Sequence, residues 1–285
     1  KAVLDMAKKS IVLVKNENNL LPLKKNGQKI AVIGPLADDS NSVLGSWRIA
    51  SEDSSGVSIV EGLKQYTGNE LIFKKGADLI TNKPTFINEL EFNTTDKRGF
   101  EEALSAAKAA DVVIMVLGEH GFQSGEGRSR TQLDLPGVQQ ELMEEVFKVN
   151  KNCVLVLNNG RPLAIEWAAE HIPSIVEAWH LGTETGNAVA QVLYGDYNPS
   201  GKLPMTFPRN VGQIPIYYNH KNTGRPVDPQ PGANMVFWSH YSDIENAPLF
   251  PFGYGLSYTS FNYSNLNVEK ESYAVNEEVQ ISVEL

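Results

Sequence analysis

The sequence has 285 residues, 41% hydrophobic and 21% charged, enough for one large or two ordinary folded domains with a substantial core. Its formal net charge of -9 argues against a general nucleic-acid surface, which would be basic. No apolar run approaches the roughly 20 residues that a membrane-spanning helix requires.

In chain order, Ala2 to Ser10 has helical composition and Ile11 to Val14 is a short apolar strand. Asn16 to Lys25 reads as a turn-rich connector. Lys29 to Ile33 is a second buried strand closed by Gly34-Pro35, and the loop after it holds Asp38, Asp39 and Trp47. A short helix over Ile59 to Tyr66 and a strand over Leu71 to Phe73 follow. Thr81 to Asp96 is polar and irregular, as expected of a surface loop. The alanine-rich Phe100 to Ala110 is a helix leading into a strand, Val112 to Leu117, that Gly118 stops. A helix over Gln139 to Asn150 has Pro136 near its start. Then come a strand at Cys153 to Leu157, a helix at Leu163 to Ala169, a strand at Ser174 to Trp179 and a helix at Thr183 to Tyr194 capped by Gly195.

Strands alternating with helices of this length imply an α/β fold: an open, mostly parallel sheet of five or six strands with helices on both faces, an α/β sandwich. Past Gly195 the character changes. Residues 196–260 hold most of the prolines and aromatics and read as extended segments draped over the sheet domain. From Phe261 the pattern alternates, as in two strands of an all-β module. Two strands cannot stand alone, so they are expected to open a truncated β-sandwich. The expected division is therefore 1–195, 196–260 and 261–285. Lys1 opens a helix-like segment and Val279 to Leu285 is a strand, so a piece of a longer polypeptide is expected.

The loop leaving the central strand organises the chain. Ser124-Gly125-Glu126-Gly127-Arg128-Ser129-Arg130 sets one carboxylate between two glycines with two arginines just beyond it. A loop at the carboxyl end of a buried strand is where open α/β sheets build ligand sites. Glu126 is the candidate acid/base. An ordinary solvated loop glutamate is the alternative from local sequence alone. Glu119, beside His120, is the rival, set against a structural carboxylate at the strand end. Arg128 and Arg130 would hold Glu126 ionised if they sat against it, so at least one is expected to point elsewhere. Trp47 is a core residue or an exposed patch. Asp38 and Asp39 are best read as a solvated turn. His120, His171, His180, His220 and His240 lack metal-ligand spacing, and the single cysteine, Cys153, sits on a strand and excludes an intrachain disulfide. Gly182-Thr183-Glu184-Thr185-Gly186 reads as a helix cap rather than an anion site, since Glu184 would repel a phosphate. No GxGxxG or Walker pattern occurs, and Ser124 lacks the GxSxG context of a hydrolase nucleophile. No cofactor and no metal are expected.

Several motifs in fixed order resemble glycoside hydrolase family 3, of the bacterial periplasmic β-glucosidase type. They are Ser10 to Asn16 with Leu20-Leu21-Pro22-Leu23, then Gly34-Pro35 and Gly45-Ser46-Trp47. The longest runs from Gly195-Asp196-Tyr197-Asn198-Pro199-Ser200-Gly201-Lys202-Leu203-Pro204 through Thr206-Phe207-Pro208. Phe250 to Tyr258 completes the set. The resemblance implies that this chain is the family's second domain with the first strands of a fibronectin-III-like third domain. The N-terminal barrel that carries the nucleophilic aspartate is absent from it. It implies further that Glu126 is the acid/base and that Trp47 stacks on the sugar beyond the scissile bond. A raised proton affinity, set by partial burial and by the neighbouring anion, is what such an acid requires.

The implied activity is that of a retaining, exo-acting β-glucosidase, with a β-xyloside as the alternative substrate. A non-catalytic carbohydrate-binding or structural domain shaping the pocket mouth is the competing function. Expected partners are a β-linked oligosaccharide or aryl glucoside and the protein's own barrel domain, with no nucleic acid and no membrane. The resemblance implies a periplasmic or secreted location, and a chain that is inactive by itself.

Overall fold

The computed structural model describes residues 1–48, 50–227 and 235–285. Helix α1 (Ala2–Ser10) leads into β1 (Val12–Asn16) and β2 (Asn26–Ile33). The alternation continues through α2 (Ile59–Lys64), β3 (Gly68–Lys74), α3 (Phe100–Ala109) and β4 (Val112–Gly118). It ends with α4 (Gln139–Val149), β5 (Cys153–Asn158), α5 (Glu166–His171), β6 (Ser174–Glu177) and α6 (Thr185–Leu193). These elements form one 6-stranded sheet in the order β1-β6-β5-β4-β2-β3. Strands β3, β2, β4, β5 and β6 run parallel, and β1 closes the edge antiparallel to β6.

Successive side chains of a strand point to opposite faces, and here both faces are covered. From β4, Val113, Met115 and Leu117 meet Ala103, Ala107, Leu142 and Val146 of α3 and α4. Its alternate residues, Val112, Ile114 and Val116, join Ile59, Leu63, Val189 and Val192 of α2 and α6 on the other side. Each such aliphatic side chain contributes about 1.5–3 kcal/mol when fully buried, which is why Ile30 to Ile33 of β2, Val112 to Leu117 of β4 and Cys153 to Leu157 of β5 read as unbroken apolar runs. Helix α2 is set by a capping box: Ser58 Oγ accepts from the Glu61 N–H at 3.1 Å, and Glu61 Oε2 accepts from the Ser58 N–H at 2.7 Å.

Three expected features differ. Helix α5 starts at Glu166, not Leu163, because the Ala164 N–H is committed to Leu133 O at 2.8 Å and ties the β5–α5 turn to the loop after β4. Strand β6 ends at Glu177, and Trp179 turns out of it with φ +53. The segment around Gly182 is a 3-10 turn running into α6, with no side-chain cap at Glu184.

The extended wrap after residue 195 pairs with itself and with the sheet edge, apart from residues 228–234, which lie outside the described residues. Leu203 and Phe207 exchange backbone hydrogen bonds of 2.8–2.9 Å with the 249–254 segment, and Leu256 N–H donates to Leu13 O at 2.7 Å on β1. The exposed edge of β1 is thereby covered. Beyond it, β7 (Ser264–Val268) and β8 (Ile281–Glu284) form a separate antiparallel pair whose side chains are all exposed.

Candidate active site

The chain leaves β2 toward β3 on one side and returns to β4 on the other, so the crossovers reverse direction between β2 and β4. Such a switch point opens a crevice at the carboxyl ends of the strands. The loop after β2 carries Trp47, and the loop after β4 carries Glu126. Asp39 holds the first loop in shape: its Oδ1 accepts the N–H groups of Asn41 at 2.7 Å and Ser42 at 2.9 Å. Asp38 is exposed and accepts from Ser58 Oγ at 2.8 Å at the entry to α2. Both aspartates are turn residues. The two loops then meet backbone to side chain at Gly125. Its φ is +129, and a Cβ there would fall 2.4 Å from Ser46 Oγ, so only glycine fits.

Between them lies a cleft of about 190 Å³ lined by Ser46, Trp47, Phe86, Phe122, Ser124, Gly125, Glu126 and Arg128. Glu126 is exposed there, and among the described residues it has no hydrogen bond or ion pair. Trp47 is 68% exposed on the same cleft, a patch residue and not a core one. Both arginines are engaged with other groups. Arg128 donates to Phe86 O at 3.0 Å and pairs with Glu89 at 3.2 Å, and Arg130 pairs with Glu119. Phe86 is a further cleft residue that the polar character of 81–96 conceals. It is 41% exposed and meets Phe122 edge-on at 6.1 Å. Its one signal is an apolar pair, Phe86-Ile87, with no periodic reason to be there.

Beneath the cleft the chemistry inverts. Glu119 is fully buried at the end of β4. Its carboxylate takes Arg130 Nη1 at 3.0 Å, Arg161 Nε at 3.0 Å and the Gly160 N–H at 3.3 Å. A carboxylate so enclosed has no access to a reacting oxygen, and the structural reading of Glu119 holds. Glu177, also fully buried, is pushed up to about 8 by burial, despite accepting from the Trp179 N–H at 2.9 Å and Asn159 Nδ2 at 3.2 Å. Burial depresses His180 to about 4 and also lowers His120, whose Nδ1 accepts from the Phe122 N–H at 3.1 Å. His180 lies beside Gly45 of the loop after β2 and Gly160 at the exit of β5. Ser124 lies against Gly160, where a Cβ would fall 1.9 Å from its Oγ. Among the described residues no group of three or more His, Cys, Asp or Glu is placed to hold a metal ion.

The glycosyl hydrolase family 3 C-terminal domain model matches residues 11–258. The chain is 44% identical to a periplasmic beta-glucosidase of Salmonella typhimurium over 99% of its own length and 38% of that protein's. It is 42% identical to a beta-xylosidase of Formosa agariphila, covering 99% of this chain and 37% of the relative. Among solved structures, the beta-glucosidase of Listeria innocua in complex with glucose superposes with a TM-score of 0.80 at 37% identity, over 92% of this chain and 34% of that one.

Proposed function

This chain belongs to the glycosyl hydrolase family 3 C-terminal domain family, and from that premise we propose that it supplies Glu126 as the general acid/base of a retaining, exo-acting β-glucosidase. It spans 38% of the Salmonella relative, so the other half of the site falls to a barrel domain of the same protein. That domain contributes the nucleophilic carboxylate, and the chain by itself does not hydrolyse glycosides. The two strands β7 and β8 open a fibronectin-III-like module.

The observation that carries this reading is the state of Glu126. It stands exposed in a cleft lined by three aromatic rings, with both neighbouring arginines engaged elsewhere. A retaining mechanism places two carboxyl groups about 5–5.5 Å apart. One attacks the anomeric carbon; the other protonates the departing oxygen and then takes a proton from water. A glutamate at the tip of a glycine-flanked loop, unpaired with its own fold, suits delivery into a cavity shared with a second domain. The indole of Trp47 offers its face to the apolar face of a pyranose beyond the scissile bond, and Phe86 forms a second wall. The substrate is a terminal, non-reducing β-D-glucosyl unit. A β-xyloside is the second reading, favoured by the identity to the Formosa beta-xylosidase. The similarity to the Salmonella periplasmic enzyme supports a periplasmic or secreted location; no helix among the described residues is long and apolar enough to cross a membrane.

Glu126→Gln in the polypeptide that joins this chain to its barrel tests the proposal. It should lower kcat/KM on substrates with poor leaving groups by about 10²–10⁴-fold. Activated aryl glycosides should lose far less, and azide should partly restore turnover. Equal loss on both substrate types would favour a binding or structural role.

A further inference from the structure

Resting on the reading of Glu126 above, we propose that Glu119 is its positioning residue: a buried carboxylate that fixes the loop at its base on both limbs. The near limb is fixed through Arg161, whose Nε sits 3.0 Å from Glu119 Oε1 while its Nη2 donates to Gln123 O at 2.5 Å. The far limb is fixed through Arg130, whose Nη1 reaches the same carboxylate at 3.0 Å and whose Nη2 donates to Asp134 O at 3.1 Å. Glu126 lies between Gln123 and Arg130. One carboxylate with no solvent contact is thus the common counter-charge for two guanidinium groups that grip opposite ends of the loop carrying the acid.

The geometry separates two jobs that a flexible acid loop must combine. Its tip needs a free carboxyl, which excludes rigidifying contacts at Glu126 itself. A misplacement of about 1 Å can cost about 100-fold in rate, so rigidity has to be imposed from elsewhere. Guanidinium forks do this well, because their donors are planar and fixed in direction. The Glu119 site also draws in the Gly160 N–H at 3.3 Å, which links the loop to the exit of β5. Arg128 adds a third tie, to Phe86 O at 3.0 Å, on the wall of the cleft.

The test is Glu119→Gln in the polypeptide that joins this chain to its nucleophile-bearing domain, an isosteric change that removes the charge and turns one acceptor oxygen into a donor facing donors. Loss of position predicts a fall of about 100-fold in kcat/KM on a β-linked disaccharide, against about threefold or less on a dinitrophenyl glycoside that departs without protonation. The alkaline limb of the pH profile should persist, since the acid itself is still there. Equal loss on both substrates, a loss matching only the unfolded fraction, or no loss overturns the proposal. If Glu119→Gln does not fold, Arg130→Met leaves Glu119 paired with Arg161 and cuts only the far limb. The same leaving-group selectivity is expected, and its absence is equally fatal. Glu126→Gln, run beside them, separates the failures. If it shows no leaving-group selectivity, the acid/base assignment falls; if it does while the base variants lose uniformly, only the positioning role falls.

Discussion

Two glutamates on the same loop live in opposite surroundings. Glu119, at the base, is fully buried and shared by two arginines, whereas Glu126, at the tip, is exposed and has no partner among the described residues. The base is built as a structural core is built, with charge compensated inside a low-dielectric setting. The tip is built as a site is built, with a reactive group left unsatisfied by its own fold. The difference teaches that reach and precision can come from one loop when its ends are locked and its middle is not.

The largest expected effect breaks the base. Arg161→Met removes one partner of the buried Glu119 carboxylate and the donor to Gln123 O. Removing one partner of a buried ion pair typically costs about 3–5 kcal/mol. The second partner, Arg130, stays, so a loss near the lower end, about 3 kcal/mol, is expected in a chemical denaturation curve. A loss under about 0.5 kcal/mol, the range of ordinary surface changes, would mean that the base is not a structural lock.

The contrast between base and tip also bears on what the sequence made legible. Strands β4 and β5 and the second half of β2 were readable because both of their faces are buried, which writes them as continuous apolar runs. Glu126 was marked by the glycines on both sides, but local sequence alone left it as readily a solvated loop glutamate; the family resemblance singled it out, and the structure shows it exposed on the cleft. For Trp47 the sequence left a core residue and an exposed patch equally open, and the structure makes it exposed; a part in sugar binding came from family resemblance alone. The base was half-visible. Glu119 follows a buried strand, but its partner Arg161 comes from the exit of β5, and sequence spacing carries no sign of that contact. Glu177 was hidden because the apolar run continues past it to Trp179, so a reader sees a longer strand and not a buried acid at its end. Phe86 was hidden by a polar loop whose fold is held by side chains, as where Asn82 bonds both Glu89 O at 2.8 Å and the Glu91 N–H at 3.0 Å.

A pH-dependent effect tests the electrostatics under the cleft. In the folded protein Glu177 keeps its proton to about 8, pushed there chiefly by burial, with the carboxylate of Glu119 adding to the rise. In the unfolded chain it ionises near the ordinary value of 4.5. Between these values the native state holds a proton that the unfolded state has released, so stability declines as pH rises through that window. Below it the contribution is constant. Glu177→Gln removes the titration, and the melting temperature of the variant should fall less steeply than that of the parent between about pH 5 and pH 8. Parallel curves would show that Glu177 is ionised in the fold at neutral pH.

The smallest effect belongs to the tip. Trp47 is 68% exposed, so little of its ring is withdrawn from water on folding. Trp47→Ala should therefore leave stability within about 0.5 kcal/mol of the parent. Its cost should appear in binding instead. An aromatic face contributes about 0.5–1.5 kcal/mol beyond simple area, or roughly a two- to tenfold rise in KM for a disaccharide, with kcat nearly unchanged. Simple aryl glucosides, which offer a different group to the same face, give the internal comparison. A drop in melting temperature with KM unmoved would place Trp47 with the base rather than the tip, as a residue that holds the loop after β2 instead of meeting a sugar.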